Sequence, residues 1–100
     1  MKSTDARQPE PWTPEELAHK LRRFCETEFR TGPLEHGKER NSFSFWVILP
    51  APEGLDASMA VVRVSPSFEV KVDVRGKGDK KIETIFRDSL AFAAAKAGAR

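Results

Sequence analysis

The residues of this 100-residue chain best suited to holding a ligand are concentrated in one turn, Arg75-Gly76-Lys77-Gly78-Asp79-Lys80-Lys81. The ammonium groups of Lys77, Lys80 and Lys81 and the guanidinium of Arg75 are phosphate-binding groups. Asp79 is placed to cap a following helix, and lysines in a first helical turn oppose the helix macrodipole. Stability alone would favour acids there, so the lysine pair at that position points to an anionic partner. The turn is not a nucleotide phosphate loop, because it lacks both that spacing and the hydroxyl residue after the lysine.

Other reactive side chains give less. Cys25 sits on the apolar face of the first expected helix and reads as a small buried hydrophobe rather than a nucleophile. His19 is read on the outer face of that helix and His36 in a polar loop. No nucleophile has a base in reach, no carboxylate pair stands in apolar surroundings, and no His, Cys or acidic spacing matches a metal site. The expectation is a binding protein with no catalytic residues, no metal and no cofactor. Arg22, Arg23 and Arg30 add basic charge to the outer face of the first helix, where Arg22, Glu26 and Arg30 are spaced for i,i+4 pairing.

These groups need a scaffold. With 39% hydrophobic residues the chain is read as one domain with one modest core. The net charge of +2 and isoelectric point near 8.9 permit a polyanionic partner without demanding one. A single cysteine forms no internal disulfide and suits a reducing, cytoplasmic setting. No segment has the length and apolarity of a membrane span, and MKSTDARQPEP has no apolar run after its basic residues.

Residues 1–11 are polar and proline-containing and are read as a flexible arm, with the domain spanning 12–100. Thr13-Pro14-Glu15-Glu16 is a capping box, and Trp12 and Leu17 hold the positions of a hydrophobic staple. The helix so begun is expected to run to about Arg30, burying Leu17, Ala18, Leu21, Phe24, Cys25 and Phe29, with Gly32-Pro33 as its stop. Ser42–Leu49 and Ser58–Ser65 alternate as strands, as does Phe68–Arg75. A three-residue loop over Ser65, Pro66 and Ser67 would set Val64 opposite Phe68, Arg63 opposite Glu69 and Val62 opposite Val70, which keeps Arg63 out of the core. The last helix is expected from Lys80 to about Ala97, with Ile82, Ile85, Phe86, Ser89, Leu90, Ala93 and Ala97 inward.

Each strand has one apolar face and each helix one apolar stripe. The economical packing is a two-layer α+β sandwich, α-β-β-β-α, with a three-stranded antiparallel meander and both helices on one face. The uncovered sheet face then carries Trp46, Ile48, Met59 and Val61 as a contiguous apolar patch, a second candidate site.

The order of elements over Thr13–Ala97, together with the GKGDKK turn within Val70–Lys81, resembles the double-stranded-RNA-binding domain. That resemblance implies phosphate contacts from a glycine-rich turn and paired lysines at the start of the last helix, here Lys80 and Lys81 with Lys77 nearby. Two functions are expected from the residues. One is nucleic-acid binding, RNA or DNA, through Arg75, Lys77, Lys80 and Lys81 with Arg22, Arg23 and Arg30. The other is a protein-interaction or homodimerisation module, an adaptor or inhibitor, that covers Trp46, Ile48, Met59 and Val61.

Overall fold

The computed structural model describes residues 13–100; the expected arm over 1–11 and the Trp12 half of the staple lie outside them. The chain runs α1 (Pro14–Glu26), β1 (Arg30–Thr31), β2 (Glu35–His36), β3 (Phe43–Leu49), β4 (Ser58–Val64), β5 (Val70–Arg75) and α2 (Lys80–Lys96). It is an α+β sandwich with the expected β3-β4-β5 meander at its centre, extended by two short strands that pair with the other edge of β3. Among the described residues no helix is long and apolar enough to cross a membrane.

The helix starts follow their local chemistry. Thr13 caps α1, its hydroxyl accepting from the Glu16 amide at 3.1 Å, and Pro14 opens the first turn. Asp79 caps α2 by accepting from the Lys81 amide at 2.9 Å. The end of α1 departs from expectation: it stops at Glu26, four residues before Arg30. Arg30 and Thr31 instead pair with Ile48 and Val47, because the free edge of β3 offers their backbone groups a ladder that a prolonged helix would forgo.

The core is the alternating face of β3 and β4 against both helices. Phe43, Phe45, Val47, Leu49, Ala60, Val62 and Val64 are buried from the sheet, and Leu17, Ala18, Leu21, Cys25, Phe86, Leu90 and Ala94 from the helices. Phe29 lies edge-on to Phe86 at 5.4 Å and closes the core beyond α1. Three expected core positions, one of them Ser89, are not in it: Phe24 is 42% exposed and Ile85 57% exposed, since two helices on one sheet bury narrower stripes than the periodicity allows. Ser89 is also exposed.

The β4–β5 register corrects the sequence reading by two residues. Val64 lies opposite Val70, Arg63 opposite Lys71 and Val62 opposite Val72. The loop is three residues long but covers Pro66, Ser67 and Phe68. Ser65 stays in the ladder, its amide donating to the Glu69 carbonyl at 2.9 Å, and its hydroxyl accepts from the Ser67 and Glu69 amides. The Phe68 amide closes the turn onto the Ser65 carbonyl, and Phe68 takes a left-handed φ of 69°, a conformation that glycine usually supplies in such loops. Because the shift is even, every side chain keeps its expected face.

Candidate functional site

The outer sheet face is laid out in rows fixed by the register. At one end Arg30, Ile48, Met59 and Arg75 stand side by side across β1, β3, β4 and β5. Three strand spacings separate the two arginines, about 14 Å. The next row places Trp46 opposite Val61 and Val61 opposite Asp73; the third places Ser44 opposite Arg63 and Arg63 opposite Lys71. Trp46, Ile48, Met59 and Val61 are thus direct neighbours, as their alternation implies. They are half-buried rather than fully exposed.

What covers part of Trp46 is the chain after β1. Gly32 is buried against the indole, and a β-carbon at residue 32 would overlap the ring. The Gly32 amide donates to the Trp46 carbonyl at 2.9 Å, and its carbonyl accepts from Arg22 Nε at 2.7 Å. Arg22 is therefore a scaffold residue that ties α1 to the strand edge, with Glu26 as its second partner at 3.4 Å. It does not share a solvated helix face with Arg30, as the spacing implied. Arg23 is exposed in the last turn of α1, and Arg30 is exposed on the sheet face beside Ile48.

The basic turn stands at the Arg30–Arg75 end of the sheet. Gly76 takes a φ of 110°, and the Gly78 amide donates to the buried Ser58 hydroxyl at 2.9 Å, which anchors the turn to the first residue of β4. Lys77, Lys80 and Lys81 are exposed. Lys80 lies 3.6 Å from Glu83, a half-buried carboxylate that also holds Arg87, and the exposed ammonium is only weakly restrained. The Asp79 carboxylate occupies the helix start, so an anion there would meet a negative charge, and the lysine side chains rather than the helix amides are the available phosphate contacts. Asp73 is shared by Arg63 at 3.8 Å and Arg75 at 3.5 Å, and Lys71 stands opposite Arg63 on the same face.

Cys25 is 1% exposed, and burial pushes its thiol up to about 12, so at neutral pH it is an uncharged part of the core. Among the described residues no three His, Cys, Asp or Glu side chains gather as metal ligands. The sequence reading missed an apolar surface on the helix layer, where Phe24 and Phe92 flank a groove between α1 and α2 and the Lys96 ammonium lies 5.3 Å from the Phe92 ring centre. Its only sequence signal was an excess of apolar residues over what the two stripes could bury.

Comparison with protein-family models, with curated proteins and with solved structures returned no significant match.

Proposed function

We propose that the domain is a non-enzymatic nucleic-acid-binding module that takes a single strand across the outer sheet face and into the basic turn. The observation that carries this reading is the row Arg30–Ile48–Met59–Arg75, a short apolar strip with a guanidinium at each end and the Trp46 indole beside it. Guanidinium groups that far apart hold phosphates two or more nucleotides apart along an extended strand, while the Trp46 indole beside the row accepts a base face without demanding a sequence. Lys77 and Lys81 continue the basic track past the sheet end. The likeness to double-stranded-RNA-binding domains rests on element order and the GKGDKK turn, and it supports the same ligand class through Lys80 and Lys81. A reducing cytoplasm is the compartment that the lone buried cysteine suits.

A second reading takes the apolar four as a protein interface. Direct contact of Ile48 with Met59 and of Trp46 with Val61 across the ladder favours it. Anisotropy of a labelled oligouridylate, titrated with the chain at several salt concentrations, separates the two. Nucleic-acid binding requires an affinity that falls as salt rises. Arg30→Ala, Arg75→Ala and the double variant Lys80→Ala/Lys81→Ala should each weaken it and flatten the salt slope by about one per lost phosphate contact. An oligonucleotide affinity that is absent, or indifferent to salt and to these substitutions, would defeat the proposal and leave the protein interface.

A further inference from the structure

Among the described residues the sheet has one long unpaired edge, β5, whose sequence is its own electrostatic complement. In an antiparallel ladder the residues of a strand alternate between those bonded to the neighbour and those whose N–H and C=O point away. The Ser65–Glu69 bond sets this alternation, so Lys71, Asp73 and Arg75 bond to β4 while Val70, Val72 and Val74 direct their backbone groups outward. The strand itself has no proline, no bulge and no inward-pointing charge to block pairing; its cover is limited to the Arg87 side chain and to the Arg100 amide, which donates to the Phe68 carbonyl at 2.8 Å just before β5. Its inward side chains, the three valines, are only half-buried. Beside them, between β5 and α2, lies an open groove of about 370 Å³ lined by Val70, Val72, Leu90, Ala91 and Ala94.

We propose that two copies of this chain pair antiparallel through their β5 edges, centred on Val72, so that Lys71 of each copy faces Asp73 of the other and Glu69 faces Arg75. This register brings the outward backbone groups of Val70, Val72 and Val74 into hydrogen-bonded positions. It leaves the charged residues in the non-bonded positions, where side chains on opposite strands approach most closely. Neighbouring registers fail on charge. Centring on Lys71 sets Lys71 against itself and Asp73 against Glu69; centring on Asp73 sets Asp73 against itself and Lys71 against Arg75. The valines of the second copy enter the groove beside α2, removing apolar surface that the monomer leaves open. Arg87 guards the edge: its Nη1 donates to the Val72 carbonyl at 3.2 Å while its Nε is held by Glu83. It is an exposed side chain that swings aside on pairing. The interface lies at the sheet edge and leaves Trp46, Ile48, Met59 and Val61 uncovered; the proposed nucleic-acid track and this interface share one residue, Arg75, so the charge reversals that test the pairing are made at Lys71 and Asp73.

Sedimentation of the full chain from micromolar to several hundred micromolar tests the pairing. A reversible monomer–dimer equilibrium is expected. Lys71→Asp alone and Asp73→Lys alone each place like charges across the axis and should weaken association at least tenfold. An equimolar mixture of these two variants should recover dimers, as should the double variant Lys71→Asp/Asp73→Lys. Val72→Pro removes an outward N–H without breaking the ladder to β4 and should be monomeric with unchanged circular dichroism. Arg87→Ala, which uncovers the edge, should associate about tenfold more tightly. A wild-type chain that stays monomeric throughout overturns the proposal. So does a dimer indifferent to the charge reversals, or one that survives Val72→Pro and dissociates only with Trp46→Ser.

Discussion

Gly32 and Trp46 are locked together: the indole lies on the glycine backbone, and the Gly32 amide donates to the Trp46 carbonyl. A methyl group at residue 32 has no space that the ring does not already fill. Gly32→Ala should destabilise the fold by about 1–3 kcal/mol, the range for overpacking, and shift the Trp46 emission as the ring is displaced. Urea denaturation followed by fluorescence, in a Trp12→Phe background, measures both. Unchanged stability and emission would mean that the ring does not rest there.

Arg22 and Arg23 are adjacent and equally basic, yet the structure gives them different work. Arg22 holds the Gly32 carbonyl at 2.7 Å from a half-buried position, whereas Arg23 is exposed. Arg22→Ala should cost about 1.5–3 kcal/mol, as expected for a charged donor removed from a buried acceptor. Arg23→Ala should stay within about 0.5 kcal/mol. The same denaturation assay compares them, and equal losses would contradict the distinction.

Cys25 links stability to alkaline pH. Its thiol is raised from 9.0 to about 12 by burial, so between those values the unfolded chain loses a proton that the folded chain keeps. The stabilisation is fully present below pH 9 and is lost as the pH climbs towards 12, by up to roughly 1.4 kcal/mol per pH unit. The stability advantage of the wild type over Cys25→Ala should therefore shrink between pH 8.5 and 10.5. A difference that stays constant would show that the thiol is not held neutral.

Local pattern carried far in this chain. Thr13 and Asp79 mark the helix starts by their side-chain chemistry, and the alternation of Phe43–Leu49, Ser58–Val64 and Val70–Arg75 assigns each residue to a sheet face. The apolar four and the basic turn were legible for the same reason: side-chain direction in a strand and capping in a helix are set within a few residues.

What escaped depends on partners distant in sequence. Arg30 reads as helical because its neighbours propagate a helix, and only the open edge of β3 recruits it into β1. Phe68 reads as the first inward residue of a strand, but the Ser65 hydroxyl gathers the turn and forces Phe68 into the left-handed region. Arg22 reads as one of three solvated basic residues until the Gly32 carbonyl is brought to it. Local sequence pattern suffices for the two helix starts, the three long strands with their faces, and the location of charge. The tertiary structure decided the strand register, the row that joins Arg30 to Arg75 and the free edge at β5, because these follow from backbone groups seeking hydrogen-bond partners across the fold.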